Sequence, residues 1–214
     1  LPDCGRQEDV DYTDMSTGRL VVGVTGASGA IYAQRFLVAA SRIWQEIHLM
    51  MSRQAVDVAL TELGVAPNLK AFSTLEWLGE DCPNIRLLDD SNFFTPPASG
   101  SFRHDGMVII PCSMGTAGRI ANGISNDLIT RSADVCLKER RRLILVPREM
   151  PWNLIHLRNM TALTEAGATI LPACPAWYTN PKSLEELADT VVARVIQNLG
   201  QEQKIQKQWM VEEE

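Results

Sequence analysis

Three glycines in G-x-x-G-x-x-G spacing, Gly23, Gly26 and Gly29, fall within the run LVVGVTGASGAIYAQRF, residues 20–36. An apolar stretch enters this turn and a helical pattern leaves it. Its backbone N–H groups are therefore set at a helix N-terminus, which favours an anion such as phosphate. The spacing is not the G-x-G-x-x-G of a dinucleotide site, and Ser52 stands where that motif would carry a ribose-binding acid. The turn reads either as an anion site not tuned for NAD, or as a tight strand-to-helix turn whose glycines serve packing. Within Gly26, Ala27 and Ser28, the serine offers a hydroxyl beside the backbone donors or an N-cap, and Ser52 is likewise open to a capping role.

A second donor-rich turn, CSMGT (112–116), follows another apolar run. Ser113, Met114, Gly115 and Thr116 bring hydroxyls, a small residue and backbone donors to a helix start, which suits a phosphate. Cys112 has no histidine nearby in sequence to activate it and reads as a small buried thiol. In PREMP (147–151), Arg148 and Glu149 end a buried run, where charge suggests function; a structural ion pair is the plainer reading. Arg131 and Lys138 are seven residues apart, about two helical turns, so one face presents both. KERRR (138–142) reads on its own as a solvated basic helix end. His48, His104 and His156 have no ligand-like spacing, so no metal site is expected.

The elements that must position these groups follow from periodicity. RLVVGVT (19–25), EIHLMMS (46–52), GMVIIP (106–111), RLILVP (142–147) and ATILP (168–172) read as strands buried on both faces, with another near 84–89. Helical patterns fall at 29–43, 53–63, 115–122, 125–140, 153–166 and 183–198. This alternation predicts an α/β fold, three-layer and Rossmann-like, with a doubly wound, mainly parallel sheet. Residues 89–105, DDSNFFTPPASGSFRHD, form a long loop of the kind that often carries function. Residues 1–18 read as an N-terminal extension without order, 19–200 as the domain and 201–214 as a C-terminal tail.

Composition narrows the function classes. A chain of 214 residues with 45% hydrophobic and 21% charged residues suits one soluble domain. A net charge of −6 argues against a nucleic-acid partner. No apolar stretch approaches a membrane span, and residues 1–17 hold no signal-peptide core. Five cysteines without close pairs fit reduced thiols and a cytoplasmic location.

Several ordered motifs carry a resemblance over about residues 20–199. GASGA (26–30), ASGSF (98–102), the long stretch GMVIIPCSMGTAGRIANGISNDLITRSADVCLKERRRLILVPREMPWNLIHLRNM (106–160) and PAWYTNPKSLEELADTVVARV (175–195) resemble the flavin prenyltransferase family, the UbiX-like proteins. The resemblance implies an α/β flavoprotein that joins a dimethylallyl group, from dimethylallyl phosphate, to reduced FMN at N5 and C6. The product, prenylated FMN, would serve a UbiD-type decarboxylase. The resemblance implies FMN contacts at Gly26, Ala27, Ser28, Ser52, Ser113, Met114, Gly115, Thr116, Arg131 and Arg148. It places Tyr178, Arg194, Lys138 and Arg148 at the prenyl phosphate, and Glu149, Lys138, Ser28 and Glu62 in catalysis. Glu62 otherwise reads as a solvent-facing helix glutamate.

Cations and hydroxyls in a dry site would stabilise the charge on a departing phosphate, so no metal is required in principle. Glu149, or phosphate, would take the C6 proton. The resemblance further implies a large homo-oligomer with sites between subunits, and the monophosphate as donor. One rival is an FMN-dependent decarboxylase of the cysteine-decarboxylase type. That group carries a histidine after the second helix and a PASANT-like loop, whereas this chain has PASGSF (97–102) and no histidine in 53–72. A non-catalytic flavin-binding protein is the second rival.

Overall fold

A computed structural model describes residues 17–206. Its strands are β1 (Arg19–Val24), β2 (Glu46–Met51), β3 (Ile85–Leu88), β4 (Met107–Cys112), β5 (Leu143–Pro147) and β6 (Thr169–Ile170). Its helices are α1 (Ala30–Ser41), α2 (Arg53–Leu63), α3 (Thr74–Leu78), α4 (Met114–Ala121), α5 (Leu128–Lys138), α6 (Leu154–Glu165) and α7 (Leu184–Asn198). The strands lie in the order β3-β2-β1-β4-β5-β6. Every pairing is parallel, so the sheet is wholly rather than mainly parallel.

The apolar strand runs have the two-faced burial expected of such a sheet. Leu20, Val22 and Val24 pack with Phe36 and Leu37 of α1 and Val192 and Ile196 of α7. Val21, between them in sequence, points to the other face, where Ile120 of α4, Ile129 of α5 and Leu163 of α6 gather. The chain winds outward from β1 to β3, then returns to β4 beside β1. The carboxyl ends of β1 and β4 therefore flank the point where strand order reverses, which is where such sheets hold ligands.

Helix starts follow local chemistry. Ser52, Ser113, Asp127, Asn153 and Ser183 cap α2, α4, α5, α6 and α7, each accepting a backbone N–H from three residues on. Asp127 fixes the start of α5 at Leu128, three residues later than the periodicity predicts. The five-residue α3 has too few turns to show a period and was not anticipated. The segment 89–105 is a loop with one 3-10 turn, Pro96–Ala98.

Residues 17 and 18, assigned by sequence to the extension, are tied to the domain. The Thr17 hydroxyl donates to Asp105 Oδ1 at 2.8 Å. The Gln45 and Glu46 N–H groups both donate to the Gly18 carbonyl. Residues 1–16, with Cys4, and 207–214 lie outside the described part. Cys82, Cys112, Cys136 and Cys174 are free thiols.

Candidate functional site

The first turn leaves β1 at Thr25, which is buried. Its hydroxyl donates to the Pro111 carbonyl at 3.0 Å and accepts the Ser113 N–H at 2.8 Å. Thr25 thus fastens the glycine turn to the CSMGT turn across the switch point. Sequence reasoning passed over it, although its place one residue before the GASG turn was visible.

Two glycines of the turn have geometric reasons. Gly29 caps α1 at φ 107°, the left-handed region that L side chains rarely adopt. A Cβ on Gly26 would overlap the Gln54 side chain at the start of α2. The donors this turn offers are partly taken from within the chain. Glu62 reaches back from α2, and its Oε2 accepts the Gly29 N–H at 2.9 Å and the Ala30 N–H at 2.8 Å. Burial disfavours its charge. The Ser28 side chain, the two backbone donors and Arg148 outweigh that and hold its carboxyl below the usual range. Glu62 is exposed, as its helix position suggests, yet its carboxylate is tied to the glycine turn.

Arg148 follows β5, and its Nε donates to the Ser28 carbonyl at 3.1 Å. Tyr32 of α1 joins this group; burial raises its pKa, Cys174 adds to the rise and Arg148 opposes it. Glu149 is exposed beside Arg148, and its Oε1 accepts the Met150 N–H at 3.0 Å. Ser52 accepts the Ala55 N–H at 3.2 Å, so its capping role is real, at the carboxyl end of the neighbouring strand.

In the second turn the side chains divide. Met114 and Thr116 are buried, 8% and 2% exposed, so they meet a ligand through their backbone at most. Ser113 is half-buried, and a Cβ on Gly115 would meet nothing within 4 Å. Gly115 and the Ser113 hydroxyl are the open part of this turn, a donor set with space above it that fits a flavin edge or its phosphate. Burial pushes the Cys112 thiol up to about 12, which rules out a thiolate nucleophile there at neutral pH.

Three of the expected cations are elsewhere. Arg131 donates from Nε to the Ala98 carbonyl at 3.2 Å and pairs with Asp134 at 2.9 Å. Lys138 pairs with Glu139, and a Cβ on Gly100 would stand 2.8 Å from its Nζ. Both lie on one face of α5, as their spacing predicts, against the 98–100 loop. Lys138 precedes β5 while Arg148 follows it, and five residues of strand span roughly 16 Å. Arg194 is exposed on α7 and donates to Gln197 Oε1 at 2.6 Å. Tyr178 is exposed, in the loop between β6 and α7. Ser28, Glu62, Arg148 and Glu149 thus gather with Ser52 and Ser113 at the strand ends, whereas Arg131, Lys138 and Arg194 do not join them within one chain.

His48 and His104 are buried near the opposite end of the sheet, with Phe102 between them. Among the described residues, no group of three His, Cys, Asp or Glu side chains is placed to hold a metal, and no helix is long and apolar enough to cross a membrane.

Comparison with known proteins agrees with this fold. The family model described as Flavoprotein matches residues 9–201. A curated protein of Pseudomonas aeruginosa named flavin prenyltransferase UbiX is 45% identical over 196 residues, 89% of this chain and 93% of that protein. The crystal structure of AnUbiX (PadA1) in complex with FMN and dimethylallyl pyrophosphate has a TM-score of 0.81 and 40% identity, covering 91% of this chain and 98% of that one. A dodecameric FMN-dependent UbiX-like decarboxylase from Escherichia coli O157:H7 gives 0.80 and 38%, over 90% of this chain and all of the other.

Proposed function

The chain belongs to the flavoprotein family, and from that membership we propose that it is a flavin prenyltransferase, joining a dimethylallyl group to reduced FMN at N5 and C6. The observation that carries this reading is the cluster at the switch point. Arg148 is fixed against the Ser28 carbonyl, with Glu62 beneath and the open Ser113–Gly115 turn facing it across the Thr25 bridge. The Pseudomonas aeruginosa relative carries this activity in its name, and AnUbiX is described in complex with FMN and dimethylallyl pyrophosphate.

Reduced FMN, the substrate, supplies the nucleophilic ring atoms. The chain's groups do the rest. Arg148 holds the prenyl phosphate and stabilises charge on its bridging oxygen as the C–O bond breaks, and the Ser28 hydroxyl joins it by turning its one proton from Glu62 to the phosphate. Ser113 and the Gly115 N–H hold the flavin. Glu149 takes the C6 proton on ring closure, and the N5 proton released with the first bond supplies the one that the prenyl double bond takes up. Arg131, Lys138, Tyr178 and Arg194 act in a site completed by another copy, in a large homo-oligomer like the dodecameric relative. The donor is dimethylallyl monophosphate, the product passes to a UbiD-type decarboxylase, and the reaction runs in the cytoplasm. Residues 19–200 are the catalytic domain. The alternative cysteine-type decarboxylase lacks support, since residues 53–72 hold no histidine and the loop reads PASGSF.

The test is anaerobic incubation with reduced FMN and either dimethylallyl monophosphate or diphosphate, read by flavin mass. A flavin heavier by one cyclised C5 unit supports the reading, and the faster donor identifies the substrate. FMN recovered unchanged with both donors overturns it and leaves a flavin-binding protein.

A further inference from the structure

Arg119 of α4 is not among the residues that the sequence singles out, yet its guanidinium ends a chain of hydrogen bonds that leads into the site. Its NH1 pairs with Asp127 and donates to Asn126 Oδ1 at 2.7 Å; its NH2 donates to Thr116 Oγ1 at 3.2 Å. Thr116 Oγ1 lies 3.0 Å from Ser113 Oγ, which also accepts the Thr116 N–H at 3.2 Å. These contacts favour one direction for each proton. Arg119 can only donate, so Thr116 Oγ1 accepts from it. The Thr116 hydroxyl is buried, and Ser113 Oγ is the acceptor within its reach, so its proton goes there. Ser113 then accepts twice, from the Thr116 N–H and O–H, and its own proton is left for a partner outside the protein.

We propose that Arg119 is a positioning residue that acts through Thr116 to hold the Ser113 hydroxyl as a hydrogen-bond donor toward the flavin, so that this edge of the site takes an acceptor atom of FMN and rejects an N–H. The proposal rests on the reading that FMN binds here. Asp127 holds Arg119 in place while capping α5 through Thr130, so the polarity of Ser113 is anchored in the frame of the fold. Arg119 occupies one lone pair of Thr116 Oγ1; without it both would be open to the Ser113 hydroxyl, which would spend more of its time turned inward.

A double-mutant cycle on FMN affinity, read by flavin fluorescence, tests this. Ser113→Ala should weaken FMN roughly tenfold, one hydrogen bond's worth. Arg119→Met should weaken it about threefold to tenfold in the wild-type background and by less than about twofold when Ser113 is already Ala. Arg119→Lys, which can still donate, should recover part of the loss. Equal weakening by Arg119→Met in both backgrounds, or none in the wild type, overturns the proposal. If Arg119→Met fails to fold, Thr116→Val leaves the Arg119–Asp127 pair intact and must show the same dependence on Ser113. Failure of the wild-type protein to bind FMN would instead overturn the functional reading itself, and this inference with it.

Discussion

Glu62 and Glu149 are both acids at the strand ends, but their surroundings give them different work. Glu62 is committed: Ser28, Gly29 and Ala30 donate to it and Arg148 lies near. Because its folded pKa is depressed, its stabilisation is complete above the unfolded value and disappears as pH falls through the folded one. Glu62→Gln should therefore cost up to about 1 kcal/mol at pH 7, the scale of a charge at a helix N-terminus, and cost nothing in strong acid. Urea unfolding at several pH values would check it. Glu149 accepts only the adjacent Met150 N–H and is exposed, so it has lone pairs to spare for a proton. The first C–N bond releases only the N5 proton, whereas closing at C6 puts a proton on the prenyl double bond and removes one from C6. Glu149→Gln should bind FMN and donor normally, then slow ring closure about 10²–10⁴-fold, so that a singly attached C5 adduct accumulates. Single-turnover absorbance with mass spectrometry reads both. A wild-type rate of cyclisation would reduce Glu149 to a structural role.

At the scale of elements, a buried histidine and a half-buried aspartate oppose one another. Burial pushes His104 down to about 4 from 6.5. Between those values the unfolded chain carries a proton the folded one lacks, so stability rises with pH. Asp90 accepts the Ile129 N–H at the start of α5; burial, with Asp127 adding, pushes its carboxyl up to about 6 from 3.8. There the folded chain holds the extra proton, so stability falls as pH rises. The two slopes nearly cancel between about pH 4 and 6. Asp90→Asn should expose the histidine slope alone. It should be more stable than the wild type by about 1–2 kcal/mol at pH 7.5, with the difference gone below pH 4. Chemical unfolding at both pH values checks it. Asp90 carried no signal in the sequence, because its surroundings depend on the start of α5 meeting the loop after β3. The strands were readable for the opposite reason: a run such as Leu20–Val24 is apolar throughout only if both faces are covered. Ser52 and Ser113 were readable as caps because capping is local. Thr25 and Arg119 were not, since their partners, Pro111 and Asp127, meet them only after a crossover or a turn. Glu62 was found through resemblance alone; nothing in its helix spacing says that it folds back onto Gly29.

For the whole molecule, chain order carries the argument. Lys138 and Arg148 sit at opposite ends of β5, and no rotamer brings them together. If both serve one prenyl phosphate, two copies of the chain must supply them, and the isolated chain has an incomplete site. Arg131 and Lys138, in contrast, share one face of α5 and must come from the same copy. This gives a test by mixing variants that are each inactive. Lys138→Ala and Arg148→Ala, co-folded at equal ratio into mixed homo-oligomers, should regain activity at about a quarter of the sites, where an intact Lys138 of one copy meets an intact Arg148 of another. Arg131→Ala mixed with Lys138→Ala should regain nothing, because no copy in that mixture has both side chains on the α5 face. Prenylated-flavin yield from co-expressed, dual-tagged assemblies reads both mixtures. Recovery in the first and none in the second places the α5 face in a neighbour's site. No recovery in either would mean that Lys138 does not share a phosphate with Arg148, and recovery in both would separate Arg131 from Lys138.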